Sequence, residues 1–521
     1  METIRTWELS QFSKLSFLLI LGAFLVLAWR LPLTTIAGHQ SQEQTGDVKS
    51  RDDIPLLGAS VGKVFAGLRA RVRYVTKGYE MIYRAYEKNK STLLQVPLVD
   101  SNLVIIPPEY VERLKSQPES LLSSSHAVAD YFLGSYTTLD LSVYGEVVWI
   151  VARRHLTQRL GTLIAPLNEE TVFAFQQEIP ECREWTPVPV QPALLQIVGR
   201  VTSRVFVGRK LARDKIWLQT SIGYATCVFL ASGILKMFPS FLRPLAALLV
   251  PQWWRIKVHR HNARKLLLPE VHQRKQNQSL QGISDKPDML GWLIEASSGR
   301  DADPENIVKR QLGFSFAAIH TTTNHLTNVI FDLAARWEEY APALIAEIKN
   351  ALKEHEGVLS KQMVTKLSKL DSFMKESQRL NPPSALSFNR QFLTSYTLPS
   401  GHVLPAHTCI AVASGPIAQS SEHYDSPTEF DGFRFDRMRS QNSAGAPSSA
   451  NYFTSTGGGS LIFGHGKFAC PGRFFAGLES KLILVHLLLN FELRLEVRPE
   501  NLKFADANFP DPAKTVLWRK L

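Results

Sequence analysis

A single cysteine set among glycines is where chemistry first shows in this chain. The stretch FGHGKFACPGRFFAG, residues 463–477, places Cys470 between Gly464, Gly466 and Gly472, with Pro471 fixing the backbone directly after it. Glycine reaches backbone conformations closed to other residues and lets a flat ligand approach the chain. The residues after Gly472 read as an apolar-periodic helix. Cys470 then stands at a helix N-terminus, where unpaired N–H groups and the positive dipole end favour thiolate over thiol. The other cysteines, Cys182, Cys227 and Cys409, are scattered without short spacings, which argues against a disulfide framework or a CxxC zinc site. A thiolate held in a rigid loop is suited to ligate a metal axially. Most isolated cysteines are instead buried and inert, so the neighbouring pattern has to decide.

Three other groups have suggestive spacing. KESQRLNP carries Glu376 and Arg379, which share one face of a helix and can pair, a common surface feature when taken alone. VVWIVARRHLTQRL holds Trp149 and Arg153 one helical turn apart, with Arg154 adjacent; alone this is the face of an amphipathic helix. FAAIHTTT, residues 316–323, lies in a segment that opens with Asp303 as N-cap, Pro304 in the first turn and Glu305 near the positive end. From there to Arg336 only Gly313 and no further proline intervenes, which predicts a helix of about 33 residues. Ala317 and Ala318 leave room beside it for a bulky planar group. The three threonines can turn their hydroxyls back onto carbonyls and bend the helix.

The string F-G-x-G-x-x-x-C-P-G resembles the haem-binding loop of the cytochrome P450 monooxygenases, and FGHGKFACPGRFFA is most similar to the fungal, membrane-anchored, secondary-metabolism type. The E-x-x-R pair, FDGFRF at 430–435 and FAAIHTTT follow in that family's order and approximate spacing, so the resemblance covers about residues 50 to 500. It implies haem b with Cys470 as the axial thiolate ligand, and Phe463, Gly466, Phe468 and Gly472 in the loop that holds it. It implies a buried charge cluster of Glu376, Arg379 and Arg434. Trp149 and Arg153, or Arg154 in its place, would reach the haem propionates, where arginine can bond a carboxylate bidentately.

Thr321 matches the threonine that hydrogen-bonds oxygen at the haem and helps deliver protons. An acid usually precedes it; here His320 does. Imidazole can shuttle protons near neutral pH, or it can hold the helix by a hydrogen bond. The family usually has Arg or His two residues before the cysteine, reaching a propionate, whereas Phe468 can donate no hydrogen bond. Lys467, Arg153 and Arg154 are the nearest replacements in sequence.

The implied activity is oxidation or hydroxylation of a lipophilic small molecule, a terpenoid, meroterpenoid or alkaloid scaffold of fungal secondary metabolism. Electrons would come from an NADPH–cytochrome P450 reductase. Two rivals are an oxygen-independent rearrangement on the same fold, disfavoured by Thr321, and a non-enzymatic haem-binding protein.

The elements that must position these residues can be read in outline. The chain has 521 residues, a formal charge of +12 and a pI near 9.4. Its basic residues are dispersed and carry no nucleic-acid motif. Four cysteines in so long a chain fit a reducing compartment. LSFLLILGAFLVLAW, Leu15–Trp29, is uncharged between Lys14 and Arg30. It reads as a retained anchor rather than a cleaved signal. The expected organisation is a tail at 1–11, a single transmembrane anchor at 12–33, a polar linker at 34–52 and one catalytic domain at 53–521. That domain would sit on the cytosolic face of the endoplasmic reticulum membrane.

Within the domain, LLQVPLVDSNLVIIPPEY predicts a hairpin around Asp100-Ser101-Asn102, and helical patterning continues to about residue 380. Strands return at Tyr396–Gly415, and Ser440–Ser460 reads as an irregular loop. The apolar tract 226–254 is broken by Lys236, Pro239, Arg243, Pro244 and Pro251. It reads as core helices joined by a loop, or as an apolar lip dipping into a membrane. The fold class is mainly α with small β-sheets, the cytochrome P450 fold.

Overall fold

Apolar-periodic stretches make most of the described residues helical, and short strands fall between Leu94 and Ser123, at Thr186–Pro189, and from Ser387 onward. The computed structural model describes residues 49–58, 66–140, 145–281, 287–441 and 451–521. The expected tail and anchor, and the linker before Lys49, lie outside the described residues, as do residues 442–450 of the Ser440–Ser460 loop. The helices named below are α1 (Glu146–Ile150), α2 (Val190–Phe206), α3 (Lys215–Lys236), α4 (Arg243–Leu249), α5 (Pro251–Gln281), α6 (Pro304–Ala334), α7 (Ser368–Leu380) and α8 (Arg473–Asn490). The strands are β1 (Leu94–Pro97), β2 (Asn102–Ile105), β3 (Leu122–Ser123), β4 (Thr186–Pro189), β5 (Ser387–Phe392), β6 (Cys409–Val412), β7 (Phe491–Arg494) and β8 (Thr515–Lys520).

The central helix α6 starts and runs as its sequence dictates. Asp303 caps it by accepting from the Glu305 backbone N–H at 3.0 Å, and Pro304 takes the first turn, where a missing N–H costs nothing. It continues as unbroken α-helix through the threonine run. Thr321, Thr323 and Thr327 bond back to carbonyls four residues earlier.

The hairpin pairs Leu94 with Ile105 and Pro97 with Asn102. It joins a five-stranded sheet in the order β1-β2-β6-β5-β3, in which β2 and β6 are parallel. The register of β5 against β6 shifts between Ser387 and Arg390. Phe388 sits in that bulge at φ +57°, a left-handed conformation uncommon for a bulky residue.

A second sheet, β7-β8-β4, ties the C-terminus to β4. Its sequence, TPVP, lies where helical patterning was expected throughout. Pro187 and Pro189 read as breakers, yet proline is tolerated on an edge strand, which is where β4 lies. Apolar side chains fill one large helical core that includes Trp217, Tyr224, Phe331 and Trp518. A second core around Val96, Val104, Phe392 and Ile410 backs the five-stranded sheet.

The tract 226–254 divides its roles. Val228, Ala231 and Leu235 of α3 are buried in the helical core. The α4 region turns outward, with Phe241 62% exposed, Leu245 64% and Leu249 74%. Among the described residues α3 is the one helix long and apolar enough to cross a membrane, and over half of its apolar window is buried inside the fold.

Candidate active site

The cysteine loop is shaped by its glycines. Gly464 and Gly466 both take positive φ, +68° and +73°. A Cβ on Gly466 would meet the Lys115 Cβ at 2.5 Å and its carbonyl at 2.7 Å, so only glycine lets the loop lie against that segment. The Cys470 N–H donates to the Phe463 carbonyl at 2.8 Å, closing the loop on itself. Cys470 precedes α8, and the backbone N–H groups of Gly472 and Arg473 bond its sulfur. Burial raises the thiol pKa above its ordinary value, against those two bonds and the Arg473 charge, so the helix end does not by itself win thiolate. Nothing lies within 4 Å of where a Gly472 Cβ would stand, which leaves a flat ligand free to approach.

Around Phe468 the structure collects cations, including two that sequence reading did not assign. Phe468 meets Trp149 edge to face with ring centroids 5.4 Å apart, and Arg153 lies 4.8 Å from the Trp149 ring. Arg153 and Arg154 belong to a π-helical turn, Val151–Leu156, that continues α1; such turns often occur at functional sites. Arg390, delivered by the β5 bulge, donates from Nη2 to the Phe468 carbonyl at 3.1 Å and from Nη1 to the Asn389 carbonyl at 2.7 Å. It is buried, has no salt bridge among the described residues, and burial lowers its pKa to about 10.

Arg473 donates to the Cys470 and Thr454 carbonyls at 2.8 and 3.0 Å. Lys467 is exposed, with Nζ 5.4 Å from the Phe468 ring. A buried guanidinium bonded only to carbonyls is expensive unless an anion joins it. The signal was present in LSFNRQF, a charge inside an otherwise β-like run. Which way the side chain points depends on the bulge, which the sequence does not announce. A soft sulfur donor, open space at Gly472 and arginines placed for carboxylates make a donor set that fits haem b.

Helix α6 contributes a window. Ala317 and Thr321 are its only exposed residues, in a helix otherwise buried or half-buried. Thr321 Oγ1 donates to the Ala317 carbonyl at 2.8 Å, while Thr322 and Thr323 face the interior. His320 points elsewhere: its Nε2 lies 3.1 Å from the Ile222 carbonyl on α3, and burial lowers its pKa.

The charge cluster comes together inside the protein. Arg379 donates from Nε and Nη2 to the two carboxylate oxygens of Glu376, each at 2.8 Å. Arg434 Nε reaches Glu376 Oε1 at 3.1 Å, and the Asp431 N–H donates to the same oxygen at 3.1 Å. Glu376 is fully buried, and the remaining guanidinium protons of Arg379 and Arg434 go to carbonyls of the segment 418–429. The cluster therefore ties the segment 418–429 to α7.

Known proteins resemble the chain along most of its length. The family model described as Cytochrome P450 matches residues 218–515. Cytochrome P450 monooxygenase olcJ of Penicillium canescens is 38% identical over 455 residues, which cover 86% of this chain and 85% of the relative. Ent-kaurene oxidase of Gibberella intermedia is 34% identical over 458 residues, 86% of this chain and 85% of the relative. Cytochrome P450 monooxygenase paxP of Penicillium paxilli is 33% identical over 466 residues, 87% of each chain.

Proposed function

The chain belongs to the cytochrome P450 family and is a monooxygenase, and on that premise we propose that it binds haem b through Cys470 and oxidises a lipophilic terpenoid, meroterpenoid or alkaloid of fungal secondary metabolism. The observation that carries the haem reading is the cysteine loop: one sulfur bonded by two backbone N–H groups, open at Gly472 and flanked by Arg153, Arg390 and Arg473. The relatives named ent-kaurene oxidase support the terpenoid arm.

The roles of the chain's own residues follow. Cys470 Sγ would hold the iron, and Phe463, Gly466, Phe468 and Gly472 shape the loop around it. Arg390 and Arg153, with Trp149 beside it, would hold the two propionates. When bound, the haem supplies reductive activation of dioxygen. Thr321, exposed on α6, can donate a proton from Oγ1 and take another in its place, because a hydroxyl both donates and accepts. Glu376, Arg379 and Arg434 keep the segment before the cysteine loop in place.

Electrons would come from an NADPH–cytochrome P450 reductase, a docking supported by the net charge of +12 and by exposed Lys467 in the loop. The outward side chains of Phe241, Leu245 and Leu249 support a lip that dips into the endoplasmic reticulum membrane beside a single N-terminal anchor, with the catalytic domain at 53–521 in the cytosol.

The test is a carbon monoxide difference spectrum of the reduced full-length protein. The red-shifted Soret band of a thiolate-ligated haem is expected, and Cys470→Ala should abolish it. A band retained in that variant refutes the assignment. Metabolite profiling after gene deletion tests the substrate class: an accumulating apolar terpenoid or alkaloid precursor is expected, and a water-soluble one would refute it.

A further inference from the structure

Three helices meet at Ile222. His320 Nε2 on α6 lies 3.1 Å from the Ile222 carbonyl on α3, and that carbonyl also accepts from Thr226 Oγ1 at 3.4 Å. A carbonyl only accepts, so the ring nitrogen facing it carries the proton and Nδ1 is the bare nitrogen of a neutral imidazole. Burial lowers the pKa of this histidine and keeps it in that form. At the next residue, Gly223, a Cβ would meet the His259 ring of α5 at 2.7 Å. The α3 backbone is thus held between α5 on one side and α6 on the other.

Two further contacts define the seat of α3. Leu218, Ile222 and Ile319 form a separate buried cluster beside the hydrogen bond, which is itself partly buried. One turn before His320, Phe316 stacks on Phe229 of α3, with centroids 5.2 Å apart and planes at 27°. Phe316 and His320 therefore give one face of α6 to α3, and the neighbouring face, Ala317 and Thr321, is the exposed window. Helix α3 also leads directly into the outward-facing α4 region.

We propose that His320 is a positioning residue: its Nε2–H fixes how closely α3 lies beside the Thr321 window, and so how freely small ligands exchange there. The inference rests on the reading that the Thr321 window faces the haem. A ring whose only N–H is held by Ile222 has no proton to pass to Thr321, so proton traffic is left to the threonine.

The test uses the haem-loaded full chain with carbon monoxide and imidazole as probes, and no substrate is needed. His320→Leu and His320→Asn both lose the reach to Ile222. Each should speed carbon monoxide rebinding after flash photolysis and imidazole release by about fivefold, the factor that a neutral hydrogen bond of about 1 kcal/mol corresponds to. His320→Gln keeps an N–H of similar reach and should stay within about twofold of the parent. Parent-like rates in both the Leu and Asn variants would overturn the proposal. So would a Gln variant as fast as they are, because a donor to Ile222 would then not suffice. Absence of the thiolate–carbon monoxide band in the parent would instead defeat the haem reading itself, a distinguishable failure.

Discussion

Arg390 donates from Nη2 to the carbonyl of Phe468 at 3.1 Å, which places a buried guanidinium against a residue whose own side chain can donate no hydrogen bond. A charge that Phe468 lacks thus stands beside it, carried by β5. The bulge that delivers it holds Phe388, whose ring centroid lies 4.6 Å from the Arg390 guanidinium, at φ +57°, and backbone strain of this kind persists where surrounding structure enforces it. Arg390→Leu should release haem about 10- to 150-fold faster to an apomyoglobin acceptor, the range set by a charge-assisted hydrogen bond of about 1.5 to 3 kcal/mol. Unchanged loss would place both propionates on other residues.

Phe468 should then be replaceable by another ring but not by a methyl group. Its ring meets Trp149 edge to face at 5.4 Å, and such aromatic pairs contribute about 0.5 to 1.5 kcal/mol. Phe468→Ala is expected to speed haem transfer about 2- to 12-fold on that account. Phe468→His, surrounded by Arg390 and Lys467, should stay neutral and remain within about threefold of the parent. Much faster loss from the His variant would show that a fully apolar ring is required there.

Thr321→Ala should divert electrons. With its exposed hydroxyl gone, hydrogen peroxide released per NADPH oxidised, measured with added reductase, is expected to rise severalfold. Thr322→Ala serves as the control, because Thr322 is buried on another face of α6. A rise in the control and none at Thr321 would shift the reactive register by one residue.

Glu376 should be indispensable to folding. Removing its carboxylate in Glu376→Ala leaves Arg379 and Arg434 buried without an anion, a loss of about 3 to 5 kcal/mol for a broken buried pair. The measurement is the yield of soluble, haem-loaded protein and its melting temperature, and both should collapse. Near-parent values would mean that carbonyls alone can satisfy the two guanidinium groups.

Local signals in the sequence served well where they were self-sufficient. The cap at Asp303, the uninterrupted run to the end of α6, and the hairpin around Asp100 are each decided by adjacent residues, and the structure has them. Strand β4 was hidden because its prolines look like breakers until β8, more than 300 residues away, pairs with it. The Arg390 role was hidden for a similar reason. A bulge in β5 depends on its register with β6, and neither strand states that register alone. The orientation of His320 also needed its partner, because α3 and α6 are remote in sequence and only packing shows that the Ile222 carbonyl accepts its hydrogen bond.

pH sets fully buried Glu479 against half-buried His325, whose ring Nε2 is enclosed. Glu479 on α8 is fully enclosed, its Oε1 accepts from Thr202 Oγ1 at 2.7 Å, and burial pushes its carboxyl up to about 8. In the unfolded chain it ionises near its ordinary value of about 4.3, so between there and pH 8 the folded state holds the extra proton. Stability from this group therefore falls as pH rises through that window. His325 on α6 stacks on Phe453 at 4.8 Å, and burial holds it down to about 3. Unfolded, it takes a proton below about pH 6.5, which the folded state refuses, so its effect is to lower stability as pH falls. Each slope is at most about 1.4 kcal/mol per pH unit. Melting curves of parent and variants at about pH 5, 6.5 and 8 separate the two effects. Relative to the parent, Glu479→Gln should gain most at the alkaline end, where the parent carries a buried charge. His325→Phe, which keeps a ring against Phe453, should gain most at the acid end. Differences that stay flat across that range would mean both groups already share their protons with water, and that neither is as enclosed as its packing indicates.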